Sequence, residues 1–184
     1  MKKLICVLLS LMLLLSFAAC NKKEDASKEK SDKELVEEFL VCQVKVRYGI
    51  ATEEEFRATY SEKYWAYAEE TLGQAFDVMY EDGKTSGATI DGVELMDSYQ
   101  MLTERYGENY KISVEIIGFD KYPYSPDETG EEMFARQCPH LSLDDIEKAC
   151  NVNYKIIISG DKETYEGPEM RDTLFKIDGR WCYK

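Results

Sequence analysis

The hydrophobic period of this chain changes once, near residue 107, and that change decides the fold class. Before it, apolar residues recur at helical spacing; after it, they alternate. Ser31-Asp32-Lys33-Glu34 has the form of a capping box, in which the Ser serves the N–H three residues on and the Glu reaches back. Leu35, Val36, Phe39, Leu40, Cys42 and Val46 follow at helical spacing, with Lys33, Glu37, Glu38 and Lys45 mostly opposite. This predicts an amphipathic helix ending near Tyr48-Gly49, where Gly takes the left-handed cap. Thr52-Glu53-Glu54-Glu55 is a second capping box and predicts a helix or helix pair through about Met79, weakened by Gly73. A polar loop over Glu81–Gly87 comes next. Leu95, Tyr99, Leu102 and Tyr106, with Met96 beside them, predict another helix closed by Gly107.

Beyond Gly107 the pattern is that of half-buried strands. Tyr110, Ile112, Val114 and Ile116 alternate with Lys111, Ser113 and Glu115; Val152, Tyr154, Ile156 and Ile158 do the same. Ser159-Gly160-Asp161-Lys162 reads as a turn, Glu163–Glu166 as a short strand, and Met170–Ile177 as a longer one. Asp178-Gly179 is a strong two-residue hairpin signal and places a closing strand over Arg180–Lys184. Between the alternating segments, Tyr122-Pro123-Tyr124-Ser125-Pro126 breaks the pattern and Asp127–Pro139 reads as acidic and irregular. Ser142-Leu143-Asp144-Asp145 reads as the start of a short helix reaching Cys150, with Ile146 and Ala149 inward. The expected class is α+β, N-terminal helices packed on a curved antiparallel sheet.

The N-terminus fixes the expected compartment. Met1-Lys2-Lys3 is basic, and Leu4 to Ala19 carries no charge over sixteen residues. That run is short for a membrane span, which needs about 20 apolar residues, and has the shape of a secretory signal peptide. Its end, Phe17-Ala18-Ala19-Cys20, resembles a bacterial lipobox. The resemblance implies that Cys20 receives a diacylglyceryl group and becomes the mature N-terminus, held on the bilayer by acyl chains. An ordinary cleaved signal and an uncleaved anchor are the alternatives. Asn21 to Glu34 holds five Lys and five acids and nothing apolar larger than Ala26, so it is expected to be a disordered tether. The expected organisation is a signal peptide over 1–19, a lipidated N-terminus and tether over 20–34, and one α+β domain over 35–184. From Leu35 onward 31 acidic and 16 basic side chains leave a charge of −15. Such a surface repels phosphate backbones, so nucleic acid is not an expected partner.

The last residues carry a second resemblance. Leu174-Phe175-Lys176-Ile177-Asp178-Gly179-Arg180-Trp181-Cys182-Tyr183 is an apolar strand, an Asp-Gly turn and an aromatic-bearing strand. Following an N-terminal helical section, it resembles the ending of small exported Gram-positive lipoproteins of the NTF2-like (cystatin-like α+β) superfamily. The resemblance implies a cone between helices and sheet; enzymes of that superfamily place an Asp or His with a Tyr inside it. No such pair is assignable from the sequence, because the acidic residues of the expected strands fall mostly on outward positions.

Motifs for chemistry fail when tested. Gly83-Lys84-Thr85 lacks the Gly five residues earlier, where Val78 stands. Asp82–Val93 resembles a calcium loop with Gly87 in place, but Lys84 and Ser86 occupy ligand positions and Val93 stands where Glu is needed. The single histidine, His140, lies in Cys138-Pro139-His140; Cys138, His140 and Cys150 match no standard zinc spacing. No metal, cofactor or catalytic group is assigned.

Four cysteines remain after Cys6 and Cys20. The preferred pairing joins Cys138 to Cys150 across a short loop and Cys42 to Cys182 between the first helix and the last strand; four reduced thiols are the alternative. Tyr60, Tyr64, Trp65 and Tyr67 cluster, either as the wall of a ligand pocket or as core packing. The expected function is a membrane-anchored, extracytoplasmic, non-enzymatic module for a small ligand or an envelope protein. The alternative is a pocket enzyme of isomerase or hydrolase type.

Overall fold

Three helix starts in this chain are set by local side-chain chemistry, and a computed structural model shows those three closed by reciprocal hydrogen bonds. It describes residues 30–72, 80–81, 89–90, 93–94, 98–122, 125–138 and 140–183. The signal segment, Cys20, most of the tether, the Gly83-Lys84-Thr85 motif and most of the calcium-like loop therefore lie outside the described residues. No helix among the described residues is long and apolar enough to cross a membrane.

Helix α1 (Asp32–Arg47) opens on the Ser31/Glu34 capping box, with Glu34 Oε2 accepting from the Ser31 N–H at 2.7 Å. It ends at Tyr48, and Gly49 adopts φ +65°. The second region is a helix pair: α2 (Glu53–Ala58) opens on the Thr52/Glu55 box, and α3 (Glu62–Leu72) follows after a break at Thr59–Ser61. A two-residue antiparallel pair, β1 (Thr89–Ile90) with β2 (Val93–Glu94), precedes α4 (Ser98–Tyr106), which is followed by Gly107 at φ +99°. Leu102 and Tyr106 are buried as expected, whereas Leu95 and Met96 lie outside the described residues.

The main sheet is antiparallel, in the order β3-β4-β6-β7, and β5 also pairs β4. Strand β3 (Lys111–Lys121) pairs with β4 (Ile146–Ser159) along most of its length, with a bulge between Ile116 and Gly118. The other edge of β4 is shared: residues 146–154 take β6 (Met170–Ile177), and residues 157–159 take β5 (Thr164–Glu166). Strand β7 (Arg180–Tyr183) completes the hairpin, with Asp178 at φ 49° and Gly179 at φ 72°, two successive positive values as a type I′ turn demands.

Two segments depart from the sequence expectation. The segment read as irregular contains helix α5 (Gly130–Gln137), opened by a third capping box in which Thr129 Oγ1 accepts from the Glu132 N–H at 3.2 Å. Only one turn of 3-10 helix (Leu143–Asp145) follows Ser142, and Ile146–Cys150 is strand, not helix. The physical reason is two-sided burial. A bulge between Ile146 and Lys148, with both faces covered from Ala149 to Val152, leaves Ile146, Ala149 and Cys150 buried at a spacing that mimics a helix.

The two faces can be followed through the register. Cys150 pairs with Leu174 and Leu174 with Tyr183, and on this face Phe39 of α1 meets Tyr183 at 5.1 Å between ring centroids. Ala149 pairs with Phe175 and Phe175 with Cys182, and here Phe134 of α5 stacks on Phe175 at 3.9 Å and 11°. The sheet therefore lies between α1 on one face and α5 on the other. Asp32 at the start of α1 ties that helix to the sheet through Lys148 and through Lys176, the latter at 2.9 Å.

Candidate functional site

One stripe of helix α1 borders a groove. Leu35, Phe39 and Cys42 recur along that stripe at steps of four and three residues, so they share a face. Ala58 and Thr59 at the end of α2 stand across from it, and Trp181 of β7 forms part of the wall. Together they enclose a groove of about 410 Å³, within the ~300–1,000 Å³ typical of small-ligand sites. Glu38, Lys45, Glu55 and Arg180 supply its charged lining.

The electrostatics of this groove are specific. Glu55 Oε2 is held by the Thr52 N–H at 2.9 Å, so its charge is committed to the cap of α2. Lys45 and Arg180 form no ion pair among the described residues. Burial pushes the Cys42 thiol up to about 11; the Glu55 carboxylate adds to the shift and Lys45 opposes it. Cys42 is thus a protonated thiol at neutral pH, a weak nucleophile and a small apolar wall. The Trp181 indole is 1% exposed and its Nε1–H finds no acceptor among the described residues.

The clustered aromatics lie elsewhere. Tyr60 and Tyr64 stack at 5.0 Å and 18°, Trp65 stands edge-on to Tyr60 at 5.0 Å, and Tyr67 is tilted against Tyr64 at 6.2 Å. Tyr60, Tyr64 and Trp65 are buried and Tyr67 is half-buried. They pack into the core beside Phe39 and Phe56 rather than lining the groove. Tyr60 borders a second depression with Glu54, Arg57 and Arg180. His140 is exposed, with Nδ1 at 3.2 Å from Glu70. No group of three His, Cys, Asp or Glu among the described residues is placed to hold a metal.

The four cysteines among the described residues are thiols, all buried. The register puts the two members of each pairing preferred from the sequence on different faces of the sheet. Cys150 lies on the Leu174 face and Cys138 ends the helix that covers the Phe175 face; Cys42 lies on α1 and Cys182 on the Phe175 face.

One polar constellation escaped the sequence reading. Tyr154 of β4 donates to Asp172 Oδ2 of β6 at 2.6 Å, on the α1 face. Burial and the bond to Asp172 push the Tyr154 phenol well above its usual range. Burial and the Asp172 charge push Tyr183 up to about 12, with Arg47 opposing. Tyr154 is therefore a donor held on a carboxylate. Only the register of β4 against β6, in which Tyr154 pairs with Met170 and Val152 with Asp172, brings the two together. The groove was missed for a related reason: Trp181 and Cys42 are separated by most of the chain.

Comparison with family models, with curated proteins and with solved structures returned no match to this chain.

Proposed function

We propose that this chain is a lipid-anchored extracytoplasmic module whose folded part binds a small, largely apolar ligand in the groove between α1, α2 and the β6–β7 turn. The observation that carries the reading is the groove itself: an apolar floor and wall that include Phe39 and Trp181, with a charged lining. An apolar lining with a few charged groups is the composition of a small-molecule site. The basic, apolar and Ala18-Ala19-Cys20 sequence at the N-terminus supports the anchor, and the acidic body supports display in water away from an anionic bilayer. We further propose that the fold is NTF2-like (cystatin-like), a reading supported by the order of helices, antiparallel sheet and terminal Asp-Gly hairpin.

Two experiments test this. Cells expressing the chain are fed labelled palmitate: incorporation that disappears in Cys20→Ala supports the anchor, and label retained in that variant, or none in the native chain, refutes it. The protein extracted from membranes is examined by native mass spectrometry alongside Ala58→Trp, which fills the groove. A co-purifying small molecule lost in the variant supports the site; a molecule retained by the variant refutes it.

A second reading, an isomerase- or hydrolase-type enzyme, is favoured by the Tyr154–Asp172 pair. It requires Tyr154→Phe and Asp172→Asn to abolish a turnover that the native chain supports.

A further inference from the structure

We infer that Cys138 and Cys182 are the disulfide-forming pair of this fold. Three contacts bring them together. Cys182 pairs with Phe175 across the β6–β7 hairpin, and its thiol lies 3.5 Å from the Phe175 carbonyl oxygen. Phe134 stacks flat on Phe175. Cys138 is one helical turn beyond Phe134, and its N–H donates to the Phe134 carbonyl at 2.9 Å. The end of α5 and the middle of β7 are therefore brought to one side of the sheet with both thiols in its core, 2% and 1% exposed. Tyr64 and Tyr67 stand near both, and Tyr67 shares a hydrogen bond with Cys138. Cys42 and Cys150 lie with α1 on the other face.

The chemistry balances as thiol–disulfide exchange. One of the two thiols loses its proton and attacks a sulfur of a disulfide oxidant, such as oxidised glutathione, releasing one reduced glutathione. The second attacks the mixed disulfide, releases the other, and closes the Cys138–Cys182 bond. Two thiols are oxidised and one glutathione disulfide is reduced. This capacity belongs to the fold; its use in a cell rests on the export proposed above.

The test is a peptide map. Trypsin separates the four cysteines of the folded part from one another and from Cys6 and Cys20, which share Leu4–Lys22: Cys42 in Glu34–Lys45, Cys138 in Gln137–Lys148, Cys150 in Ala149–Lys155 and Cys182 in Trp181–Lys184. The full chain is unfolded in urea, refolded in a glutathione redox buffer so that burial cannot block reaction, and digested without reduction. The expected result is Gln137–Lys148 joined to Trp181–Lys184, in the native chain and equally in Cys42→Ser/Cys150→Ser. The oxidised protein is expected to unfold at a urea concentration about 1–2 M higher, a gain reversed by dithiothreitol and absent from Cys138→Ser/Cys182→Ser. Four thiols still free after refolding, or either peptide joined to a different cysteine, overturns the inference. Neither outcome bears on the groove, which the Ala58→Trp comparison tests separately.

Discussion

Replacing Gly160 by Ala tests how the sheet is joined to α4. Gly160 follows β4, and a Cβ built there meets the Tyr106 carbonyl oxygen at 2.0 Å, its carbon at 2.7 Å and the Tyr106 Cβ at 2.8 Å. Real Cβ contacts begin near 3.0 Å, so the turn must retreat by about 1 Å, and backbone cannot rotate aside as a side-chain tip can. The retreat strains what docks the turn on the last turn of α4: the Lys162 N–H on Tyr106 O at 3.1 Å and Lys162 Nζ on Glu104 O at 2.8 Å. Those acceptors are helix C-terminal carbonyls with no intrahelical partner of their own. Overpacking costs about 1–3 kcal/mol, and each hydrogen bond lost adds about 1 kcal/mol. The expected total is about 2–4 kcal/mol, a fall of about 1–2 M in the urea midpoint for a domain of this size. Hydrogen exchange localises the effect: amides of α4 and of residues 160–163 lose protection before those of β6. The control is Gly179→Ala, where nothing lies within 4 Å and only the positive φ of 72° is strained, at about 1 kcal/mol. Should Gly160→Ala cost no more than Gly179→Ala, the close approach does not exist and the docking argument fails.

Three further outcomes follow from named contacts. Burial alone would raise the Asp32 carboxyl, but hydrogen bonds and charge from Lys148 and Lys176 outweigh it and hold it below the ordinary value. Its contribution is therefore full above the unfolded-state pKa and is lost as pH falls through the folded one. Asp32→Asn is expected to cost about 1–2 kcal/mol at pH 7 and close to nothing at pH 2, read from urea unfolding at both values; an equal cost at both would contradict the ion-pair account. Phe134→Ala removes a ring stacked on Phe175 and 1% exposed, and about 3–5 kcal/mol is expected; a loss under about 1 kcal/mol would show that α5 is not anchored there. With its thiol near 11, Cys42 should be alkylated at pH 8 about a hundredfold more slowly in the folded than in the unfolded chain, followed on its own tryptic peptide. Equal rates would place that residue outside a buried wall.

The elements legible in the sequence are those whose cause is local. The Ser31 and Thr52 capping boxes, the Leu35–Val46 stripe, the alternation around Val114 and Ile156 and the Asp178-Gly179 turn each need only a few neighbouring residues, and each appears where the pattern placed it. The Thr129/Glu132 box was equally local and equally visible; the acidic composition around it masked the signal. Ile146–Cys150 failed for a different reason. Strand periodicity reports burial on one face, and this strand is covered by α1 and α5 at once, so its apolar spacing says nothing about backbone conformation.

Everything nonlocal was decided by register and layering. Which cysteines share a face, that Tyr154 reaches Asp172, that Trp181 walls a groove with Cys42, and that the aromatic cluster is packed inside are consequences of how β4, β6 and β7 align and which helix covers each side. A shift of one residue in a strand would exchange every one of those partners. The sequence alone settles caps, periods and the charge of the body because these depend on residues a few positions apart. Partners on distant strands depend on a sum of many weak contacts that exists only once the sheet has closed.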